Sequence, residues 1–157
     1  MNYFLDTEFI EDGHQEPLVL LSIGLVSEDG REYYAENTEA SIARANAWVQ
    51  NNVVPHFTGP MKKRSEIASD ILKFIGMDTK PKFWGYFADY DWVLFCQLFG
   101  KMIDLPPTFP MFCWDLKQEM DRLGVSKPLI EGCGPEHHAL SDARWNKAFY
   151  TYLQGKK

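Results

Sequence analysis

Cysteine, positive charge and long apolar runs are all scarce in this sequence. The longest apolar stretch, residues 17–26, is interrupted by a serine and a glycine and is too short to cross a bilayer, so we expect no membrane span. The cysteines are odd in number and form no Cys-x-x-Cys pair, which argues against a disulfide framework and against a structural zinc site. They are Cys96, Cys113 and Cys133.

The deficit of positive charge gives a formal net charge of -6. Proteins that hold duplex nucleic acid non-specifically do so through many Lys and Arg contacts to phosphate, so this charge disfavours that class. It leaves room for a nucleic-acid enzyme, because metal ions bound in an acidic pocket supply local positive charge. The one basic cluster, residues 61–64, is more typical of a solvated loop before a helix than of a phosphate contact.

The length of 157 residues is enough for one sizeable core and too short for two. We therefore expect a single domain spanning residues 1–157. The first residues, MNYFLD, contain neither a basic leader nor a cleavage region. Together with the few cysteines, this leads us to expect a protein of the reducing cytoplasm.

The first part of the chain is rich in strand signals. Residues 3–10 combine aromatic and branched side chains, and residues 17–26 are typical of a strand buried on both faces. The Asp29-Gly30 pair is a strong hairpin signal and leads into a third strand at residues 31–36. These signals predict an antiparallel meander of three strands.

The rest of the chain alternates between helix and strand signals. Helices are predicted at residues 41–51, 65–75, 91–100 and 115–124 and from His138 onward, short strands at 81–86 and 111–114, and a loop at 126–135. Together with the meander, this order of elements is typical of an α/β layered domain with a mixed sheet.

Two acidic residues interrupt the apolar first strand. A strand sends residues i and i+2 to the same face, so Asp6 and Glu8 are expected to lie side by side. Two ionised carboxylates at that separation repel, and burial adds a desolvation penalty, so a proton or a cation must lie between them. Hard divalent cations suit such a pair. The alternative is a strand end at which both groups point into water.

Two further acids, Asp89 and Asp91, stand where a strand gives way to a helix. Either of them could act only as a helix cap. We favour Asp91 as a functional residue, because it immediately precedes the apolar helix and is held by a rigid element. Asp89 belongs to the looser turn before it.

The segment GPEHHALSDARW places a loop histidine, His137, near an aspartate one turn inside the last helix, Asp142. The helix face that Asp142 adjoins carries large apolar side chains, so its carboxylate is expected to point toward the sheet. His14 and His56 lack acidic neighbours of this kind, and we expect both at the surface.

Taken together, these segments resemble the DEDDh class of 3′-5′ exonucleases, which has a ribonuclease H-like fold. The matching residues, in the order of that class, are Asp6-x-Glu8, Asp91, and His137 followed by Asp142. HHALSDA is similar to the third motif of the class, and Phe87 stands where the second motif often has an asparagine. YFLDTEFIEDG and DYDWVLFCQLFG resemble, more narrowly, a small bacterial and phage group of compact exoribonucleases.

The resemblance implies helices on both faces of a mixed central sheet and a site for two Mg²⁺ or Mn²⁺ ions. Asp6 would bridge the ions, Glu8 and Asp142 would bind the water-activating ion, and Asp91 would serve the other, directly or through water. His137 would be the general base that takes a proton from the attacking water, because an imidazole with an ordinary pKa near ~6.5 can be neutral at working pH.

The expected substrate is the 3′ end of a single-stranded nucleic acid, RNA in preference to DNA, with release of nucleoside 5′-monophosphates. We expect Phe9, Ile23 and Trp92 to hold the terminal base, with Trp114 a further candidate; core packing is the alternative for each aromatic. Two other functions stay open, a ribonuclease H-type endonuclease and a catalytically silent nucleic-acid-binding module. A homodimer stays open too, because interface and core surfaces follow the same pattern.

Overall fold

A six-stranded mixed sheet runs through this computed structural model, which describes residues 1–13 and 16–156. The strands are β1 (Asn2–Ile10), β2 (Val19–Ser27), β3 (Glu32–Asn37), β4 (Met61–Lys62), β5 (Lys82–Gly85) and β6 (Trp114–Asp115). Their order is β4-β3-β2-β1-β5-β6; β1, β2 and β3 pair antiparallel, and the remaining pairs are parallel. The predicted antiparallel meander is therefore confirmed. His14 lies outside the described residues.

Five α-helices follow or flank these strands in the described residues. They are α1 (Ala47–Asn52), α2 (Arg64–Ile75), α3 (Asp89–Phe99), α4 (Leu116–Leu123) and α5 (Ala139–Gln154), with 3₁₀ turns at Ile42–Arg44, Val54–His56 and Met102–Asp104. In the part of the chain that the structure describes, no helix has both the length and the apolar character needed to cross a membrane.

The helices pack on both faces of the sheet. On one face Tyr3 and Leu5 of β1 pack with the buried side chains of α2 and α3. On the other face Phe4 packs with Leu116 of α4 and Phe149 of α5. Because successive residues of a strand point to opposite faces, the alternation along β1 divides the core between the two layers of helices.

Local signals set the ends of several elements. Gly30 closes the turn between β2 and β3 with φ of 92°, and its N–H donates to the Ser27 carbonyl at 3.0 Å. Gly76, with φ of 63°, ends α2. Left-handed backbone is accessible to glycine without a steric penalty, so both ends follow from the sequence.

Three predicted elements differ from the structure. Of the strand expected at residues 111–114, only Trp114 belongs to a strand, β6. Residues 41–51 do not form one helix, because the Asn46 side chain accepts the Val49 N–H at 3.0 Å and starts α1 only at Ala47. The basic cluster at residues 61–64 is not only a loop, since β4 pairs in parallel with the end of β3. A strand of two residues is too short to show an alternation of apolar and polar side chains, so the sequence does not predict it.

Candidate functional site

Three carboxylates from distant parts of the chain meet at one place beside the sheet. Asp6 and Glu8 project from the same face of β1, and Asp142 projects from the first turn of α5. One carboxylate oxygen from each of the three residues lies within 4.8 Å of the other two, and each side chain is half-buried. We call this group the acidic cluster. The proximity expected from the sequence is therefore observed for these three residues.

The start of α5 is anchored so that Asp142 faces the sheet. The His138 side chain caps the helix by accepting the Ser141 N–H at 3.4 Å. The His137 backbone N–H donates to Asp142 Oδ2 at 3.0 Å, and the His137 backbone has φ of 61°, which is uncommon outside glycine. The loop histidine and the aspartate thus form one local unit with a fixed geometry.

Gly24 lets α5 approach the sheet next to the acidic cluster. It is the partner of Asp6 in the pairing of β1 with β2. A Cβ at this position would lie 2.4 Å from the Ala139 carbonyl atoms and 2.5 Å from Leu140 Cα, so any other residue would push the helix away. Gly24 is therefore a positioning residue for Asp142.

We expect Gly24→Ala to destabilise the protein by about 1–3 kcal/mol, as overpacking against fixed atoms does. For a domain of this size the melting temperature should fall by roughly 2–12 °C in thermal unfolding. Gly155→Ala is the matched control, because its added carbon would be 3.5 Å from the nearest atom, an ordinary contact. Equal melting temperatures for the two variants would contradict the close approach of α5.

Asp91 contacts β1 along the edge that pairs with β5, at a point beyond the end of that pairing. Its Oδ1 accepts the Thr7 backbone N–H at 2.8 Å and the Thr7 hydroxyl at 2.5 Å, and the residue is only 5% exposed. It does not precede α3, as predicted, but lies in the first turn, because the helix begins at the exposed Asp89. Asp91 does not belong to the group of carboxylates within 4.8 Å, although its charge acts on both Asp6 and Glu8.

Burial raises the pKa of all four carboxyl groups. The pKa of Glu8 rises from 4.5 to about 8 through burial and then through repulsion from Asp142 and Asp91. Burial brings the pKa of Asp91 and of Asp142 to about 6 against the opposing hydrogen bonds that each accepts. The pKa of Asp6 lies well above its ordinary value, through burial and then the charges of the three other acids. Such a group takes up protons near neutral pH unless a cation replaces them.

Comparison with known proteins decides the family. A model described as the 3′-5′ exoribonuclease Rv2179c-like domain matches residues 1–154. The chain belongs to the Rv2179c-like domain family. It is 42% identical over 150 residues to the 3′-5′ exoribonuclease Rv2179c of Mycobacterium tuberculosis (strain ATCC 25618 / H37Rv), covering 92% of this chain and 88% of that protein. The identity and coverage are the same for the 3′-5′ exoribonuclease MT2234.1 of strain CDC 1551 / Oshkosh.

Within this Rv2179c-like domain, two of the residues expected to hold a base are core residues. Ile23 is 0% exposed, and its pairing with Thr7 puts it on the face of the sheet opposite Asp6. Trp92 is 8% exposed and packs against Phe83 and Phe95. The expectation of a base contact is wrong for both, because neither side chain has exposed surface on which a base could stack.

The two remaining candidates for contact with the base, Phe9 and Trp114, keep some exposed surface. Phe9 is half-buried and packs edge-on against Tyr90, with ring centres 5.7 Å apart. Trp114 lies in the edge strand β6 and packs against Trp84 and Phe112. Phe9 follows directly on Glu8 in β1, at an irregularity in the pairing with β2, and packs against the core cluster that contains Tyr3 and Leu5.

Sequence reasoning missed Trp48 in α1. Its ring is 54% exposed and contacts the His137 ring edge-on, with centres 4.9 Å apart. An exposed tryptophan in a short polar segment is a usable signal, but nothing in the sequence places it next to His137. Gly24 was missed as well, although an isolated glycine in a buried strand often indicates a close approach of backbone.

The raised pKa of Glu8 predicts how the stability of the metal-free domain depends on pH. Because its pKa is higher in the folded state than in the unfolded chain, its stabilising contribution is complete below pH 4.5 and is lost as the pH rises through about 8. We expect the melting temperature in a chelator to fall between pH 5 and 8, and less so in Glu8→Gln. Glu11→Gln, at an exposed carboxylate, is the control. Parallel curves for wild type and Glu8→Gln would contradict the prediction.

Proposed function

We propose that this protein is a metal-dependent 3′-5′ exoribonuclease. It would hydrolyse phosphodiester bonds at the 3′ end of single-stranded RNA and release nucleoside 5′-monophosphates. The observation that carries the proposal is the meeting of Asp6, Glu8 and Asp142 within 4.8 Å, in a chain whose relatives are named 3′-5′ exoribonucleases. We further propose a single exonuclease domain over residues 1–157, of the DEDDh class and with a ribonuclease H-like fold.

The chemistry of the acidic cluster fits Mg²⁺ or Mn²⁺. Carboxylate oxygens are the ligands that these hard cations prefer. Among the described residues, no Lys or Arg forms an ion pair with Asp6, Glu8 or Asp142, so no basic side chain neutralises their repulsion. We propose that these three residues, with Asp91 acting directly or through water, hold two ions. When bound, the ions supply activation of the attacking water and stabilisation of the departing oxygen.

His137 is the proposed general base. A general base must come within hydrogen-bonding reach of the proton that it removes, so its place has to be fixed. Two contacts hold it there: its backbone N–H donates to Asp142, and its ring packs against Trp48. His137 thereby stays beside Asp142, in the lining of a cleft that Asp6 also lines, where the proposed hydrolysis needs a group that accepts a proton.

Two aromatic side chains are proposed to hold the terminal base. Phe9 extends from β1 directly after Glu8, and Trp48 exposes most of its ring beside His137. Flat side chains hold a base by stacking and do not select its identity, which suits an enzyme that removes successive nucleotides. The terminal nucleotide would then lie between the carboxylates and this pair of rings.

A linear and a circular RNA of the same sequence test the function. With Mg²⁺ or Mn²⁺, we expect the 5′-labelled linear RNA to shorten stepwise and to release nucleoside 5′-monophosphates, while the circle stays intact. Cleavage of the circle would favour a ribonuclease H-type endonuclease. Binding of the linear RNA without turnover would favour a silent nucleic-acid-binding module. A DNA strand of the same sequence, tested in parallel, measures the preference for RNA.

A further inference from the structure

A cleft adjoins the acidic cluster and extends along the first turns of α5. It lies between the segment of residues 127–137 and the first turns of α5, and its volume is about 530 Å³, within the range of ligand sites. Asp6 and Asp142 line it together with Tyr86 and Trp145. Trp145 stands three residues after Asp142 on the same face of α5, so the cleft is continuous with the candidate active site.

Lys127 is the only Lys or Arg among the described residues that line this cleft. Its ammonium lies 5.1 Å from the centre of the Tyr86 ring and 4.7 Å from that of Trp145. These two cation–π contacts hold an otherwise exposed side chain in one place. The other charged groups along the wall are carboxylates, including Glu131 and Glu136, so a phosphate entering the cleft has one favourable position apart from the acidic cluster.

Phe87 projects an apolar ring into water at the same end of the sheet. It is 61% exposed, its ring contacts Tyr86 at 4.6 Å, and its φ is 54°, a left-handed conformation that is strained for a bulky residue. The turn around it is held tightly: the Ala88 N–H donates to Asp115 Oδ2 at 2.8 Å, and a Cβ on Gly85 would lie 2.7 Å from Ala88 Cβ. The fold therefore maintains an exposed ring in a strained backbone.

The location of this turn links Phe87 to the acidic cluster. A Cβ on Gly85 would lie 3.5 Å from the Leu5 carbonyl oxygen, so the turn abuts β1 directly before Asp6. Phe87 and Lys127 contact the same Tyr86 ring. Phe87 and Lys127 are thus both in contact with one ring that lines the cleft beside Asp6.

We propose that the cleft, together with Phe87, which contacts Tyr86 of its lining, is the subsite for the nucleotide immediately 5′ to the scissile phosphodiester. Its base stacks on Phe87, and the phosphate on its 5′ side binds Lys127. This inference rests on the proposed exoribonuclease function and extends it to a preference for substrates of more than one nucleotide. Because the two cation–π contacts hold Lys127 in place beforehand, little of its conformational freedom remains to be lost on binding.

Three substrates of increasing length test the subsite one group at a time. Uridine 5′-(4-nitrophenyl phosphate) keeps only the terminal nucleotide, a uridine dinucleotide with a 5′-hydroxyl adds the upstream nucleoside, and the same dinucleotide with a 5′-phosphate adds the group for Lys127. In Phe87→Ala, the ratio of KM for the dinucleotide to KM for the ester should rise by about 5- to 150-fold, the range for loss of one stacked base. Phe87→Trp should restore the wild-type ratio.

Lys127→Gln should weaken binding only of the substrate that carries a 5′-phosphate. We expect KM to rise for the phosphorylated dinucleotide relative to the unphosphorylated one. The dependence of log KM on log salt should become shallower by about 0.7 for that substrate, as loss of one phosphate contact predicts for single strands. Lys127→Arg should restore both. Lys156→Gln is the matched control: the Lys156 ammonium lies 4.9 Å from the centre of the Tyr152 ring, but beyond the end of α5, which is about 18 Å along the helix from Asp142.

The outcomes separate the subsite from the function. If wild type hydrolyses all three substrates and neither variant changes its KM ratio by more than twofold, the subsite is wrong and the exoribonuclease function stands. If wild type hydrolyses none of them with Mg²⁺ or Mn²⁺, both proposals fail. Because Phe87 is exposed, Phe87→Ala should retain the wild-type melting temperature, whereas Lys127→Gln should lose the small stabilisation from its two cation–π contacts. Unchanged KM ratios in Lys127→Gln, whatever its melting temperature, would overturn the role of Lys127.

Discussion

Asp6→Asn should lower the exoribonuclease activity by about 10³-fold or more. Asp6 belongs to the acidic cluster that would hold the ions, and the charges of Asp91, Asp142 and Glu8 all act on it. Asparagine keeps the shape of the side chain and removes its charge. Bound ions contribute several kcal/mol of transition-state stabilisation in enzymes of this kind, and each 1.36 kcal/mol is a factor of ten in rate. Turnover of a 5′-labelled RNA with Mn²⁺ measures the loss.

The melting temperature gives a second, independent readout of the same variant. In wild type, free Mn²⁺ at 100 times its Kd should stabilise the folded state by about 2.7 kcal/mol, which is roughly 5–11 °C for a domain of this size. Asp6→Asn should lose most of this response. In a chelator at pH 8 the variant should melt above wild type, because one member of a repelling group is gone.

Asp89→Asn is the matched control for both readouts. It makes the same chemical change close to Asp91 in the chain, but at an exposed side chain in the first turn of α3. We expect it to keep activity and the response to Mn²⁺. A wild type whose melting temperature ignores Mg²⁺ and Mn²⁺ would contradict the metal assignment, and full activity in Asp6→Asn would contradict the role of the acidic cluster.

Local patterns were enough to predict that Asp6 and Glu8 share a face, that the Asp29-Gly30 turn starts a hairpin, and that Asp142 lies one turn inside the last helix. Each of these depends on the period of a strand or helix or on a short turn signal, which a single segment specifies. The gathering of the acids followed from the order of these elements in an α/β layered domain and from the family resemblance.

The residues that were wrongly placed depend on register and packing between segments. Ile23 is close to the acids in the sheet, but its pairing with Thr7 turns it to the opposite face, and a shift of one residue would have reversed this. Trp92 follows Asp91, yet the helix rotates it into the aromatic core. Trp48 meets His137 across 89 positions of the chain, a contact that neither segment indicates alone.

Asp91 also shows that features set within one segment were predicted and contacts between segments were not. Its place near a helix start was predicted, but its two hydrogen bonds to Thr7 were not. Beyond Trp84, β5 no longer pairs with β1, so the Thr7 N–H would be left without a partner in the sheet. The Asp91 carboxylate accepts it instead. One carboxylate thus completes the strand that carries Asp6 and Glu8 and adds to the negative charge around them.

His137→Ala should reduce kcat by about 10²- to 10⁴-fold, the usual contribution of a general base, while the response of the melting temperature to Mn²⁺ stays near that of wild type. The reason is that the carboxylates that would hold the ions remain, and only the group that accepts the proton is removed. Single-turnover hydrolysis of a short labelled RNA measures the rate. His56→Ala, a histidine outside the acidic cluster, is the control and should keep full activity.

His137→Gly separates the proton-transfer role from a structural one. The backbone φ of 61° at this position suits glycine, so the variant should keep the loop and the N–H that donates to Asp142. We expect kcat to fall as in His137→Ala and to recover in part when imidazole is added, because free imidazole can occupy the space of the lost ring and accept the proton. Full activity in either variant would remove His137 from the reaction, and a loss that imidazole leaves unchanged, together with a lost response to Mn²⁺, would reassign it to the support of Asp142.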